Sequence, residues 1–134
     1  MNFLLIDTNV IIRRLRRSIP DPIWNERLSG RAPVISPVTA HELRRGVRPG
    51  SPWEKAMTSF PAPLTEAPTP QDWIEAGDLI RKLFWNSHKG LALSRLQNDA
   101  LIAVTARRLG ADVWSSDGDI KLLCGSLRVR LLTD

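Results

Sequence analysis

The sequence predicts an α/β fold, a three-layer α/β/α sandwich around a mostly parallel sheet of about five strands. Short apolar runs alternate with helical patterns along most of the chain, as they do where helices cover both faces of a parallel sheet. The run "NFLLI" at residues 2–6 reads as a continuous apolar strand, buried on both faces. Three hydroxyl–proline pairs, Ser36 with Pro37, Ser51 with Pro52 and Thr69 with Pro70, open helices with a capping oxygen and a proline in the first turn.

Each element follows in order. From Val10 to Arg17 the spacing is helical, with Ile11, Ile12 and Leu15 on one side and Arg13, Arg14, Arg16 and Arg17 on the other. "APVIS", 32–36, is a second strand, and a helix runs from Pro37 to Gly46. Helices over about 52–59 and 70–86 each carry an acidic residue three after the capping hydroxyl, Glu54 and Asp72. Between them "PAPLTEAP" is able to hold one extended strand at the sheet edge. Past Gly90, the spacing predicts a helix over about 98–109 stopped by Gly110, a strand "DVWSS", a short helical turn over 118–123 and a closing strand "RVRLL". The 134 residues, 43% hydrophobic and 25% charged, suit a single folded domain spanning 1–134 rather than a disordered chain.

Composition narrows the function. No apolar run approaches eighteen residues, and the apolar start is broken by Asp7 and followed by arginines, so a membrane helix or signal peptide is not expected and a cytoplasmic location is. Cys124 is the only cysteine, and with His41 and His88 it makes too few soft ligands for a zinc-type site. A packing role is expected for it. Nineteen Lys and Arg against fourteen Asp and Glu give +5, a balance that favours polyanionic partners such as nucleic acid.

The acids matter by position. Asp7 ends the first strand and Asp117 follows "DVWSS", which places both at the carboxyl edge of the sheet, where open α/β folds bind ligands. Either is also a plausible turn or cap residue. Glu42 lies a turn past its helix cap, beside Val38 and Thr39 and away from Arg44, Arg45 and His41. Asp99 precedes the inward stripe Ile102, Ala103 and Ala106, although it also suits an N-cap. Carboxylates on inward faces cost free energy unless something positive lies among them. Oxygen ligands alone suit Mg²⁺ or Mn²⁺. Such an ion offsets repulsion of a phosphodiester, activates a water and stabilises the leaving oxygen.

At these residues the chain resembles a known family. "LIDTNVII", "SPVTAHELRRG", "NDALIAVTARRLGA" and "VWSSDGDI" are similar, in order and separation, to the four motifs of PIN domains, specifically VapC-type toxins of VapBC toxin–antitoxin modules. The resemblance covers residues 4 to about 120. It implies a Mg²⁺- or Mn²⁺-dependent endoribonuclease with catalytic, metal-holding acids at Asp7, Glu42, Asp99 and Asp117. It implies that Asn9 and Ser115 orient those acids, that the protein forms a homodimer, and that a VapB-like antitoxin inhibits it near the active site. The last motif departs from the family pattern: Ser116 and Ile120 stand where a basic and an aromatic residue are usual, which leaves open whether Asp119 joins Asp117 at the metal.

Arg13, Arg14, Arg16, Arg17, Arg44, Arg45, Arg48 and Lys121 are the candidate contacts to the RNA backbone, and a solvated helix face is the plainer reading of the first four. Three other readings stay open. One is a PIN-like module that binds RNA or protein without cleaving it, and another is an RNA-maturation nuclease, which would use the same chemistry. An aspartate after a buried strand also suits a haloacid-dehalogenase-like phosphatase, but that family usually has a second aspartate where this chain has Asn9. On the helix after Pro70, Trp73, Ile74, Leu79, Ile80, Leu83 and Phe84 supply more apolar surface than one face needs, so part of it is expected to meet a partner. Trp24, read as a loop residue, and Trp85 are the other tryptophans expected to do so.

Overall fold

The computed structural model describes residues 2–59, 65–86 and 91–133. The chain runs β1 (Asn2–Ile6), α1 (Thr8–Leu15), α2 (Asp21–Leu28), β2 (Arg31–Val34), α3 (Pro37–Gly46), α4 (Pro52–Ser59), α5 (Pro70–Phe84), α6 (Leu91–Leu109), β3 (Asp112–Trp114), α7 (Gly118–Leu127) and β4 (Leu131–Leu132). Among the described residues four strands, all parallel, form a sheet in the order β2-β1-β3-β4. The expected fifth strand falls mostly on residues 61–64, outside the described residues. Thr65, next in sequence, makes one parallel bridge to Ile35.

Because strand side chains alternate, β1 divides its apolar residues between two layers. Leu5 joins Val34 and Val113 in a core with Leu79 of α5, Leu101 and Val104 of α6 and Leu123 of α7. Leu4 and Ile6 join Ile35 and Trp114 against Val10 and Ile11 of α1 and Leu43 of α3. Helices therefore cover both faces, as the alternating pattern predicts. Arg31 at the start of β2 pairs with Asp112 at the start of β3 at 3.1 Å, bridging over the amino end of β1.

Several elements differ from the expected ones. The segment read as a loop around Trp24 is α2. It buries no residue fully, so its sequence lacks the apolar stripe that announces a helix. Trp24 does not project to a partner from a loop: its ring lies 5.3 Å from that of Trp114, and Arg14 lies 5.1 Å above it. α6 starts at Leu91 rather than near 98, and Leu96, Ala100 and Ala103, at helical spacing, are buried in one row. Asp99 is thus inside a helix and not its N-cap. α7 extends to Leu127 because Cys124 is buried in the core with Leu127 packed against it. It ends with Arg128 at φ 57, whose following amide, Val129 N, donates to Cys124 O, so the final strand shrinks to two residues.

α1 spans Thr8 to Leu15, which leaves Arg16 as its cap and Arg17 in a left-handed turn. The four arginines therefore do not form one continuous helical stripe. Arg14 turns back to Ile19 O at 3.0 Å and to Asp21 at 2.6 Å.

Candidate active site

The chain leaves β1 for β2 on one side and returns to β3 on the other, so the order of strands reverses between β1 and β3. Such a reversal opens a crevice at the carboxyl ends of the two strands. Ile6 and Trp114 are in register there, and Asp7 N donates to Trp114 O at 3.0 Å. Asp7 caps α1, accepting from Thr8 N at 2.8 Å, and its other oxygen accepts the Ser115 hydroxyl at 2.7 Å. It is 4% exposed. Burial raises its pKa above the usual carboxylate value, with Glu42 and Asp117 adding to the rise and the bonds from Ser115 and Thr8 opposing it.

Three more elements bring acids to this crevice. Glu42, on α3 with Thr39 and Leu43 buried beside it, accepts the Thr8 hydroxyl at 3.1 Å. Asp117 caps α7, accepting from Asp119 N at 2.9 Å, while its own amide donates to Ser115 Oγ at 3.1 Å. Ser115 thus links the acid after β1 to the acid after β3. Asp99, from α6, has its pKa pushed up to about 8, by burial first and then by Asp7, Asp117, Glu42 and Asp119. Carboxylate oxygens of Asp99, Asp117 and Asp119 lie within 4.8 Å of one another.

The arrangement suits a hard divalent cation. Every ligand atom in the cluster is a carboxylate oxygen. Burial first, and then four neighbouring acids, raise Asp99 so that it favours its protonated form near neutral pH, and bound positive charge would oppose that. Asn9 Oδ1, two residues after Asp7, is buried without a hydrogen-bond partner.

The profile of the PIN domain family matches residues 4–125. The chain belongs to the PIN domain family. No curated protein matches it by sequence. Solved structures with the same fold include a chain of Rickettsia felis VapBC2 bound to a DNA fragment from its promoter, at 20% identity and TM-score 0.74, covering 98% of each chain. A chain of DNA-bound VapBC from Salmonella typhimurium is similar at 20% identity and TM-score 0.73, covering 99% of this chain and 98% of the other. FitAcB from Neisseria gonorrhoeae is similar at 19% identity and TM-score 0.62, covering 96% of each.

In this PIN domain the carboxylates of Asp99, Asp117 and Asp119 lie together, and Asp7 and Glu42 are near enough to act on Asp99 electrostatically. Ser115 bonds directly to Asp7. Thr8, which the sequence reading did not single out, holds Glu42. Its signal was a hydroxyl directly after a strand-terminal acid, which turn chemistry explains equally well.

The basic residues scatter more. Arg16 and Arg48 line a groove that includes Glu42. Arg17, Arg44, Arg45 and Lys121 are exposed, and Arg13 is half-buried. Arg14 is committed to Ile19, Asp21 and Trp24. Cys124 is buried, its thiol pushed up to about 12 by burial, then by Asp7 and Asp99, which suits packing rather than chemistry.

Proposed function

We propose that this PIN domain is a Mg²⁺- or Mn²⁺-dependent endoribonuclease, the toxin of a toxin–antitoxin pair, with Asp7, Glu42, Asp99 and Asp117 as its metal-holding acids. The observation that carries the reading is the cluster of Asp99, Asp117 and Asp119, whose carboxylate oxygens lie within 4.8 Å of one another, with Asp7 and Glu42 adding negative charge around Asp99. A protein gains nothing in stability from such crowding, and perturbed groups of this kind concentrate at functional sites. When bound, the ion supplies the positive charge that lets an RNA phosphate approach these acids and helps a water attack phosphorus as a ribose oxygen leaves.

The side chains have distinct tasks in this reading. Ser115 and the Thr8 amide orient Asp7, the Thr8 hydroxyl orients Glu42, and the Asp119 amide orients Asp117. Asp119 supplies a further oxygen beside Asp99 and Asp117. The toxin role is supported by the motif resemblance to VapC-type toxins and by the VapBC complexes that share the fold. The partners proposed with it are RNA, a VapB-like antitoxin and a second copy of the chain. Trp73, Ile74 and Trp85, exposed at 49%, 60% and 67%, offer apolar surface at α5 for either protein. No helix among the described residues is long and apolar enough to cross a membrane.

The test is incubation of the purified protein with total RNA and Mn²⁺, with and without a chelator, followed by mapping of new ends. Discrete cleavage that the chelator abolishes is expected. Asp7→Asn keeps the side-chain shape and removes a charge, and we expect at least a hundredfold loss of cleavage with an unchanged circular dichroism spectrum. Full activity in that variant would overturn the mechanism, and RNA binding without any cleavage by the native protein would favour a binding module.

A further inference from the structure

Beside the acids lies a groove of about 370 Å³ between α1, α3 and the start of α4. That volume is in the range of small-ligand sites. Glu42 belongs to its wall, so the groove opens onto the acid cluster. Leu15 and Leu43 line it with apolar surface, Arg16 and Arg48 contribute positive charge, and Trp53 adds an indole that is 42% exposed. Nothing in the acid chemistry uses Trp53.

We infer that this groove is a nucleobase subsite in which Trp53 stacks on a base of single-stranded RNA next to the cleaved phosphate, while Arg16 and Arg48 hold the flanking backbone. The inference rests on the nuclease reading and adds a residue that grips the substrate. Single-stranded RNA is held by this combination of aromatic faces and cationic edges. Because Glu42 lines the groove, a nucleotide next to a phosphate held at Glu42 has the same wall within reach. Stacking needs no hydrogen-bond code. The site would therefore raise affinity for RNA broadly, with a preference for larger bases.

The test is RNA binding, measured by fluorescence anisotropy with a short labelled single-stranded RNA in Mg²⁺, in an Asp99→Asn background in which loss of cleavage is first verified by gel. Adding Trp53→Ala is expected to weaken binding on the order of tenfold, whereas Trp53→Phe stays within about threefold. Trp53→Leu, which keeps apolar bulk without a ring face, should behave as alanine does. RNA with an abasic site at the stacked position should bind native Trp53 and Trp53→Ala alike. Equal affinity of Trp53 and Trp53→Ala for intact RNA overturns the inference, and is the result expected if the groove instead receives a segment of a protein partner. Normal affinity of Trp53→Leu also overturns it. Trp53-dependent RNA binding by a native protein that never cleaves RNA would leave the subsite standing and remove the nuclease reading.

Discussion

At the scale of single residues, Thr8 illustrates how one side chain serves both fold and site. Its amide donates to Asp7 and its hydroxyl to Glu42, so it couples the acid after β1 to the acid on α3. Thr8→Val preserves shape and the backbone bond but leaves Glu42 without its donor. Groups that orient metal-holding carboxylates commonly matter on the order of tenfold or more in metal affinity. We therefore expect Thr8→Val to weaken Mn²⁺ binding by about tenfold in isothermal titration calorimetry, and Thr8→Ser to restore it. Unchanged Mn²⁺ affinity in the valine variant would show that Glu42 needs no such tether. The sequence does not single out Thr8, because the partner is 34 positions away and no local pattern records it. Asp7 and Asp117 were legible twice over, as caps and as strand-end acids, and the structure gives each a capping bond within the acid cluster.

At the scale of elements, legibility followed amphipathic pattern. The helix starts at Pro37, Pro52 and Pro70 were placed correctly because a hydroxyl followed by proline specifies a start locally. α2 was invisible because it buries no residue completely, and the first turns of α6 because their continuity is set by Leu96 meeting the core. One junction shows how local and distant bonds combine. Asp72 completes a capping box with Thr69 and receives Arg108 Nε at 2.9 Å, while Arg108 also reaches Glu66 at 3.1 Å and Ala67 O at 3.2 Å. This ties the start of α5 and the connection before it to the end of α6, the helix that carries Asp99. Asp72→Ala removes the cap and one ion pair, and we expect a loss of about 2 kcal/mol in urea unfolding. Arg108 is one-third exposed, so water takes over part of what it loses. The bonds from Thr69 and Arg108 hold Asp72 below its ordinary pKa despite the opposing effect of burial. The stability it contributes is thus full above about pH 4 and is lost as pH falls through the lower folded value. A loss under 0.5 kcal/mol would show that the box and pair are incidental.

At the scale of the molecule, the parallel sheet was readable chiefly from β1, whose buried run Leu4, Leu5 and Ile6 meets helices on both faces of the sheet. The same architecture delivers acids from β1, α3, α6 and α7 to one crevice, and this makes the stability of the whole fold depend on pH in an unusual direction. A carboxylate stabilised by partners resembles Asp72 and favours folding as pH rises. Asp99 does the reverse: its value is 3.8 when free and about 8 when folded, so between these the folded chain binds more protons than the unfolded one. Stability from this group is present below about pH 4 and is lost progressively as pH rises toward 8. Asp7, also raised, acts in the same sense. The metal-free protein should therefore melt at a lower temperature at pH 8 than at pH 5.5, a range in which Asp72 stays ionised. Asp99→Asn should flatten most of that slope, since an amide has no proton to lose. Saturating Mg²⁺ should stabilise the native protein more at pH 8 than at pH 5.5, because an ion that requires ionised Asp99 must displace its proton at the lower pH. Calorimetry in two buffers of different ionisation enthalpy would detect that proton release directly. If the difference between native and Asp99→Asn melting curves does not change with pH, the acids are not coupled as their placement at the strand ends requires.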